Sequence, residues 1–476
     1  MEFKNKKITS RDVDFAQWYT DIVKEAKLAA YSSVKGSIII EEYGYEIWEN
    51  MQQILDHKFK QTGHKNVYMP LLINESLLQK EADHVEGFAP EVAWVTYGGN
   101  TKLDERLCIR PTSETLFSEY YANIVKSYRD LPKLYNQWCN VVRWEKETRP
   151  FLRGREFLWQ EGHTIHETKE EAIGETLKML DVYEDFFVNY LAMPVLKGRK
   201  TEKEKFAGAV DTYTIEAMTY NGVILQSATS HYFGTNFSIP FDIKFLDRNN
   251  KLQYVHQSSW GASTRMIGGL IMSHSDDNGL ILPPKIAPNQ VVIIPIKETD
   301  EVMAVAKTIE QQLISNNIRC FIDKTDKSVG FKFAEHEMKG VPLRIEVGPR
   351  DLENNEVVIT RRDNYEKNTY KNDSKLVNVI EQLLVTIQKD MLIKATKRKE
   401  QRTYKCTSYQ EVVDIINTKP GFIKAMWCGD AACEVKMKTI NGLKSRCIPF
   451  VEEHIDDKCI CCGKPAVHMV YWGIQY

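Results

Sequence analysis

Residues 143–161 read RWEKETRPFLRGREFLWQE, and this arginine-rich segment is the most informative part of the chain. Strand-like patterns at 137–145 and 157–166 are separated by a turn that contains a proline and a glycine. We therefore predict a strand–loop–strand hairpin that holds three loop arginines over one face of a sheet. Such guanidinium groups can bind phosphate oxygens in a bidentate manner, and Phe157 could stack on a base. An arginine hairpin that simply faces solvent fits the same residues.

A second segment favours the phosphate-binding interpretation. Residues 260–270 read WGASTRMIGGL, so small residues including Ser263 lead into a predicted helix that carries Arg265. Small residues at a helix start allow close backbone packing and leave the arginine projecting. Such an arginine suits the terminal phosphate of a nucleotide.

The segments around the hairpin predict an α+β fold. Helices are predicted at 43–61 and 167–191, where apolar residues recur every three to four positions, and a strand at 67–73 should end near Pro70. Further strand-like segments are 106–110, 137–145, 157–166, 213–217 and 223–226. Successive strands with few helices between them indicate an antiparallel sheet with helices packed on it.

The pattern changes after residues 282–288, LPPKIAP, whose three prolines predict a stiff linker and a domain boundary. Strand and helix patterns then alternate to about residue 394, which predicts a compact α/β domain with a largely parallel sheet. The basic run at 394–400 that follows could contact phosphate or form a solvated helix surface.

The ten cysteines are unevenly distributed. Those after residue 405 are Cys406, Cys428, Cys433, Cys447, Cys459, Cys461 and Cys462. In a reducing compartment this clustering favours a metal site over disulfides. The pairs Cys428-x4-Cys433 and Cys459-x2-Cys462 have good spacing for one tetrahedral zinc, although Cys461 is an alternative ligand and free cysteines are not excluded.

The 476 residues suggest two to four domains, and their 63 basic and 65 acidic side chains give a net charge of −2. Near-neutral charge excludes nucleic-acid binding by the whole surface and leaves only local basic patches. We expect no membrane partner, because no apolar run approaches the length of a bilayer span. The first seven residues lack the apolar stretch of a secretory signal, so we expect a cytoplasmic protein.

Taken in order, several of these segments resemble the three motifs of class II aminoacyl-tRNA synthetases. The helix at 43–61 with its following strand resembles motif 1, the 143–161 hairpin resembles motif 2, and Arg265 resembles motif 3. The resemblance to prolyl-tRNA synthetase, in its archaeal and eukaryote-like form, rests on RPTSE (110–114), NVVRWE (140–145), FLWQEGH (157–163) and QSATSH (226–231). The segment between His163 and Gln226 is too short for the large editing insertion of the common bacterial form.

This resemblance implies a reaction. ATP, with Mg2+, would activate L-proline as prolyl-adenylate, and the prolyl group would pass to the 3′-terminal adenosine of tRNA(Pro). Because the proline carboxylate itself attacks the α-phosphate, positioning and charge neutralisation carry the catalysis. The implied catalytic residues are Arg143 and Arg265. The implied ATP-binding residues are Arg143, Glu145, Arg153, Phe157, Gln226, Thr229, Ser263 and Arg265, and the implied proline-binding residues are Thr112, Glu114, Arg143 and His231.

The resemblance also implies an architecture. It gives a class II antiparallel-sheet catalytic domain at 1–284, an α/β anticodon-binding domain at 285–395 and a small zinc-binding α+β domain at 396–476. It further implies a homodimer built through motif 1 and a structural zinc held by Cys428, Cys433, Cys459 and Cys462. Members of this form end in tyrosine, so we expect the carboxylate of Tyr476 to fold back towards the active site.

Other interpretations remain open. Thr112-x-Glu114 also fits a helix cap with an acid in the first turn, and His231 also fits a structural histidine. A class II synthetase for threonine, serine or glycine is an alternative, although threonine enzymes place a metal in the amino-acid pocket with Cys and His ligands, and we find no such set in this core. A second alternative is a tRNA-binding or regulatory protein that derives from a synthetase and has lost activation. Such a protein is expected to lack Arg143 or Arg265, and this chain has both.

Overall fold

The computed structural model describes residues 8–80 and 92–476. The first seven residues, where we predict no secretory signal, lie outside the described part of the chain. No helix within the described ranges is long and apolar enough to cross a membrane.

The described residues form α-helices of 4 to 26 residues, most of them amphipathic. Two of them, α2 (Glu42–Gln61) and α5 (Lys169–Asn189), match the helices predicted at 43–61 and 167–191. Residue Thr168 begins α5 with a capping box in which Glu171 takes part, and α5 buries one apolar face. The helices are α1 Phe15–Glu25, α2 Glu42–Gln61, α3 Glu75–Leu78, α4 Glu114–Ile124, α5 Lys169–Asn189, α6 Arg265–His274, α7 Asp300–Ser315, α8 Val329–Met338, α9 Pro349–Glu353, α10 Leu376–Gln401, α11 Tyr409–Thr418 and α12 Ala431–Lys438.

The strands fall into five sheets, of which the largest carries the candidate site. In chain order they are β1 Ala29–Tyr31, β2 Ile38–Ile40, β3 Lys65–Asn66, β4 Leu72–Asn74, β5 Ala93–Gly98, β6 Thr101–Ile109, β7 Lys133–Val142, β8 Glu156–His166, β9 Val195–Arg199, β10 Asp211–Met218, β11 Ile224–Gly234, β12 Lys244–Leu246, β13 Leu252–Tyr254, β14 His256–Ser263, β15 Val291–Pro295, β16 Cys320–Ile322, β17 Leu343–Val347, β18 Glu356–Arg361, β19 Lys367–Lys371, β20 Thr403–Lys405, β21 Phe422–Trp427, β22 Leu443–Pro449 and β23 His468–Ile474.

An eleven-stranded sheet runs through the molecule in the order β20-β21-β23-β22-β9-β10-β11-β14-β8-β7-β3. All of its neighbours are antiparallel except the two edge pairs, β20–β21 and β3–β7. Helix α5 packs on β10, β11, β14 and β8, and its buried aromatic residues join the main apolar core. The predicted antiparallel sheet covered by helices is therefore confirmed, and it contains, next to the edge strand β3, the β7–β8 hairpin predicted from residues 143–161.

The strand predicted at 67–73 is wrong as a single strand. The short strands β3 and β4 flank residues 67–71. In this segment the backbone N–H of Val67 donates to Asn136 O, and that of Met69 donates to the side chain of Gln137. Pro70 has no N–H to donate. The chain therefore leaves the edge of the large sheet here and enters the small β4-β6-β5 sheet.

The α/β domain has a mixed sheet, so the largely parallel sheet predicted from the alternation is wrong. In the order β16-β15-β17-β18-β19, the first two ladders are parallel and the last two are antiparallel. Strand β18 follows β17 after the short helix α9 and pairs with it in the antiparallel direction. An antiparallel neighbour does not need the long crossover connection that a parallel neighbour needs. Strand β19 is exposed and polar, so apolar periodicity did not reveal it.

The proline-rich segment predicted as a stiff linker is a buried junction. Ile286 and Ala287 are fully buried, and Arg319 of the α/β domain donates to the carbonyl oxygens of Pro284 and Ala287. The basic run at 394–400 lies on α10, where Arg398 donates to Ser273 O at the end of α6. These contacts hold the α/β domain against the sheet that carries the candidate site.

The cysteine-rich module continues the large sheet. Strand β22 pairs with β9 through Ile448↔Arg199 and Pro449↔Gly198. Gly198 has no side chain there, and a Cβ at this position would lie 2.3 Å from Ile448 O. The module is thus joined edge to edge to the part of the large sheet that carries the candidate site.

Candidate active site

Two adjoining cavities, of about 300 and 440 Å³, lie over one face of the β8-β14-β11-β10 part of the large sheet. Every active-site residue predicted from the sequence lines one or both. The shared wall is Arg143, Phe157, Ser263 and Arg265; Glu145 and Arg153 line the smaller cavity, and Thr112, Glu114, Gln226, Thr229 and His231 line the larger. The structure therefore brings together residues separated by as much as 153 positions in sequence.

Arg143 lies at the junction of the cavities. It directly follows β7, its Nε donates to Pro111 O at 3.0 Å, and its guanidinium lies over the rings of Phe157 and Trp159. This hydrogen bond and the two aromatic faces help to hold the planar guanidinium of Arg143 in place. Such an arginine can bridge two anionic groups, one in each cavity.

The hairpin loop supplies the other charges of the smaller cavity. Arg153 Nε lies 4.0 Å from Glu145 Oε2, and the Arg153 side chain is 42% exposed. The loop closes on itself because Arg149 N donates to Arg153 O at 2.7 Å. The Tyr476 hydroxyl accepts from Arg149 Nη1 at 2.5 Å, so this side chain lies against the loop. The position of the Tyr476 carboxylate stays a prediction.

Arg265 is the first residue of α6, as the small residues before it predicted. Its Nε donates to Leu152 O at 3.1 Å and its Nη1 to Gln226 O at 3.4 Å. Its backbone N–H donates to Ser263 Oγ at 3.2 Å. Burial, followed by the charges of Arg143 and Arg153, lowers the pKa of Arg265 to about 10. The three arginines thus form a cationic end that repels itself until an anion binds.

The opposite end of the larger cavity is acidic. Glu114 is the first residue of α4 and is 5% exposed; Thr112 Oγ1 donates to Glu114 Oε2, and Ser259 Oγ donates to Oε1 at 3.4 Å. The helix-cap interpretation of Thr112-x-Glu114 is correct only in part. The acid does begin a helix, yet the cap residue Ser113 makes no capping bond, because its hydroxyl donates to Glu161 at 2.5 Å instead.

Sequence reasoning quoted Glu161 and His163 but assigned neither to the site. His163 Nε2 lies 2.9 Å from Glu161 Oε2, and Gln137 Nε2 donates to Glu161 Oε1 at 2.7 Å. Burial disfavours both charges, but hydrogen bonding to His163 lowers the pKa of Glu161, while the bond to Glu161 and the charge of Glu114 raise the pKa of His163. Strand alternation could have found them, since they share the β8 face with Phe157.

Glu114 lies close to this pair, and Glu114, Glu161 and His163 bring one ligand atom each to within 4.8 Å of one another. This set contains no cysteine, so it is not the Cys and His set of a threonine enzyme. Two carboxyl groups beside one imidazole make this end of the cavity acidic, which suits a bound organic cation.

His231 forms the remaining wall beside a loop that sequence reasoning did not single out. Phe206 N donates to Thr212 Oγ1 at 2.9 Å, and Thr212 Oγ1 lies 3.0 Å from His231 Nδ1. The hydroxyl hydrogen is therefore available to Nδ1, which favours a neutral ring protonated on Nε2. Burial, then the charges of His163 and Arg143, lowers the pKa of His231 to about 3. The ring of Phe206 packs on this neutral imidazole at 4.6 Å.

A second cluster lies in the C-terminal module. The Sγ atoms of the four predicted cysteines all lie within 4.8 Å of one another, and Cys461 is outside this group. Cys428 Sγ lies 3.7 Å from Cys433 Sγ and 3.6 Å from Cys462 Sγ. These spacings fit a tetrahedral zinc, for which Zn–S bonds of about 2.3 Å place the sulfurs roughly 3.8 Å apart. Glycines with positive φ follow Cys428 and Cys462 and let each loop turn.

Comparisons with known proteins match these features in order. The models of three families match the chain: the class II tRNA synthetase core domain (G, H, P, S and T) over residues 95–274, the anticodon binding domain over 290–383, and the prolyl-tRNA synthetase C-terminal domain over 409–476. The predicted succession of a class II core, an anticodon-binding domain and a distinct C-terminal domain is therefore confirmed.

Individual relatives match almost the whole chain. The chain is 62% identical over 470 residues to proline–tRNA ligase 2 of Bacillus thuringiensis subsp. konkukian, covering 98% of each protein. It is 61% identical to the proline–tRNA ligase of Clostridium novyi and 58% identical to that of Clostridium botulinum, each over 470 residues and 98% of both chains. Identity of this extent leaves no segment of the fold outside the comparison except the extreme ends, and the chain belongs to the proline–tRNA ligase family of class II aminoacyl-tRNA synthetases.

Proposed function

We propose that this chain is a ligase that activates L-proline with ATP to form prolyl-adenylate and transfers the prolyl group to the 3′-terminal adenosine of tRNA(Pro). The pairing of two adjoining cavities, with an acidic end in one and a cationic wall shared by both, carries this proposal. A zwitterionic amino acid needs a carboxylate near its ammonium, and a triphosphate needs guanidinium groups. Arg143 lies where the two substrates must meet.

The acidic end accounts for the amino acid. The secondary ammonium of proline would donate to Glu114 and Thr112, and the net negative charge of the Glu114–Glu161–His163 cluster would balance it. Neutral His231 and the ring of Phe206 would pack on the pyrrolidine ring without a competing positive charge. This arrangement directs the proline carboxylate towards Arg143.

The cationic end accounts for ATP. Phe157 would stack on adenine, with Glu145 accepting from its amino group, while Arg153 and Arg265 would hold the outer phosphates. Gln226, Thr229 and Ser263 line the same wall and would position the ribose and phosphates. Mg2+ bound with ATP would neutralise phosphate charge.

The bond-forming step then follows from position alone. The proline carboxylate oxygen attacks the α-phosphorus, a P–O bond to the carboxylate forms, and the bond to the β-phosphate oxygen breaks to release pyrophosphate. Arg143 would contact both the carboxylate and the α-phosphate, and Arg265 would take up charge on the leaving group. Such charge stabilisation, together with alignment, can supply most of the acceleration.

The α/β domain would bind the tRNA anticodon. It matches the anticodon binding model, and unpaired bases can be read on their edges by exposed side chains. The boundaries 1–284, 285–395 and 396–476 are proposed for the catalytic, anticodon-binding and C-terminal domains.

The four clustered cysteines would hold a structural zinc. Their sulfur spacings fit it, and none of the four lines either cavity. We assign the metal no part in the reaction. Its role would be to lock the loops at Cys428 and Cys462 onto helix α12.

A homodimer is proposed on exposed apolar residues in and near the segment that resembles motif 1. Tyr31 and Ile39, on the β1–β2 hairpin, are 67% and 57% exposed, and Tyr68 is 69% exposed. Apolar side chains at this exposure suit burial against a second copy. Cytoplasmic location is proposed because none of the ten cysteines forms a disulfide and both ATP and tRNA are available there.

Aminoacylation tests the proposed function. Purified protein would be incubated with ATP, Mg2+, radiolabelled proline and a tRNA(Pro) transcript, and acid-precipitable label would be measured. The proposal predicts charging that depends on ATP and tRNA(Pro), and little charging of a tRNA(Thr) transcript under the same conditions. Folded protein that charges neither transcript with proline would contradict it.

A further inference from the structure

The connection between β9 and β10, residues 200–210, forms part of the wall of the larger cavity. We name it the pocket loop. Glu204, Lys205, Phe206 and Ala207 line the cavity, and the loop consists of turns without a strand or helix of its own. Because no ladder of hydrogen bonds fixes it, its position depends on what it packs against.

The pocket loop is attached at its start to the C-terminal module by a buried hydrogen-bond cluster. Thr201 Oγ1 donates to Glu434 Oε1 at 2.8 Å, and Ser445 Oγ donates to the same oxygen at 2.5 Å. All three residues are at most 6% exposed. A buried carboxylate bound by two hydroxyl groups is costly to leave unpaired, so the attachment is strong.

A second contact joins the middle of the loop to the same strand of the module. Lys444 Nζ lies 3.4 Å from Glu204 Oε2, and both side chains are about three-quarters buried. Lys444 directly precedes Ser445 on β22. Two neighbouring residues of one strand therefore contact the loop at two points.

The base of the loop is also tied to that strand. Lys200 Nζ lies 2.7 Å from Glu216 Oε1, and Arg446 Nη2 lies 2.6 Å from Glu216 Oε2, with all three side chains at most 2% exposed. Removal of one member of such a buried ionic set is strongly destabilising. This set therefore holds the domains together at the first residue of the loop, Lys200, and the cluster at Glu434 holds the residue that follows it, Thr201.

From the loop the contacts continue to the amino-acid pocket. Phe206 N donates to Thr212 Oγ1, which also contacts His231, and the Phe206 ring packs on the His231 ring. A shift of the loop therefore moves the wall that faces the amino acid. The described contacts of Phe206 thus lead to Thr212 and His231, whereas the arginines of the cationic end are positioned by β7, β8 and α6.

We propose that Glu434 is a positioning residue for amino-acid binding: through Thr201 it holds the pocket loop in place, so that the C-terminal module sets the affinity for proline. This inference rests on the proposed function. Glu434 touches no substrate and acts through the loop alone. It gives the module a part in amino-acid binding in addition to its fold.

The simpler alternative is that the cluster only stabilises the domain interface. In that case its loss lowers the stability of the protein but changes the KM values for proline and ATP alike. Positioning predicts a selective effect, because only the amino-acid wall is attached to the loop. Separate KM values therefore distinguish the two.

The test compares Glu434→Ala, Glu434→Gln and Thr201→Val with Lys438→Gln, which removes an exposed charge from the same helix. ATP–pyrophosphate exchange would give KM and kcat for each substrate. We expect Glu434→Ala and Thr201→Val to raise the KM for proline by about tenfold or more, because each removes a hydrogen bond to a charged group. The KM for ATP should change less than about twofold, since the tie does not reach the cationic end.

The conservative variant supplies the rescue. Glu434→Gln keeps an oxygen that can accept from Thr201, so we expect a KM for proline between those of wild type and Glu434→Ala. Lys438→Gln should match wild type. An unchanged KM for proline in folded Thr201→Val and Glu434→Gln, or equal rises for both substrates, would overturn the proposal.

A second readout does not depend on activity. Trypsin cleavage after Lys203, an exposed residue of the pocket loop, would be followed by mass spectrometry. The proposal predicts faster cleavage in Thr201→Val than in wild type or Lys438→Gln, and equal rates would contradict it. Absence of proline-dependent exchange in wild type would instead refute the proposed function, and the cleavage rates would still report on the loop.

Discussion

Glu114→Gln tests the acidic end of the cavity with little change in shape. The carboxylate is almost fully buried and belongs to a cluster of two carboxyl groups and one imidazole. The variant removes one carboxylate from that cluster and replaces a charge-assisted hydrogen bond to the ammonium by a neutral one. Hydrogen bonds to charged groups contribute about 1.5–3 kcal/mol. At about 1.4 kcal/mol per factor of ten, the KM for proline should rise roughly 10- to 150-fold.

The assay is ATP–pyrophosphate exchange with each substrate varied in turn. The KM for ATP should stay within about twofold, because Glu114 lines only the larger cavity, whereas Glu145 and Arg153 line the smaller one. Glu119→Gln, an exposed position on the same helix, is the matched control and should behave as wild type. The variant should also lower the pKa of His163, which the charge of Glu114 raises. A KM for proline within twofold of wild type, in folded protein, would refute the assignment.

Three further predictions concern catalysis, the metal and pH. Arg143→Ala should lower kcat for pyrophosphate exchange about 100- to 1,000-fold and leave the circular dichroism spectrum unchanged, since it removes a donor to charge in the transition state; activity above a tenth of wild type would contradict its role. Cys428→Ser should reduce bound zinc, measured by mass spectrometry, to near zero, whereas Cys406→Ser, outside the cluster, should retain it; stoichiometric zinc in the first variant would show that the ligand set is wrong. Burial lowers the pKa of His231 and of His274 to about 3, so the unfolded chain binds protons at these sites below its own pKa of about 6.5 while the folded chain does not. Stability should be fully present above pH 6.5 and fall by about 2 kcal/mol per histidine at pH 5, measured by urea unfolding; equal stability at pH 5 and 7 would contradict this.

Much of the central fold could be predicted because its signals are local. The strand-like patterns on both sides of the arginine loop predicted the β7–β8 hairpin, and the small residues before Arg265 predicted the start of α6. Pro70 predicted the end of a strand, but the irregular backbone before it, from Val67 to Met69, could not be predicted, because it depends on hydrogen bonds to Asn136 and Gln137, far away in sequence. Patterns report burial within a segment and not which partner a backbone N–H finds.

The site was predicted less completely than the fold. The resemblance to class II synthetases identified residues that the fold brings together. It assigned roles only to positions within the family's motifs, so the buried pair Glu161 and His163 stayed unassigned. Their alternation with Phe157 was readable, whereas the role of the pocket loop was not. Its contacts with Glu434 join residues more than 200 positions apart, and no local pattern encodes such a pairing.

Pyrophosphate exchange against each of the twenty amino acids, without tRNA, tests the central claim most directly. The account predicts exchange that requires proline, with at most weak signals from alanine or cysteine, whose small side chains a pocket can reject by only a few kcal/mol. Strong exchange with another amino acid in place of proline would contradict the pocket built from Glu114, His163 and His231. No exchange at all in folded, zinc-replete protein would contradict amino-acid activation itself.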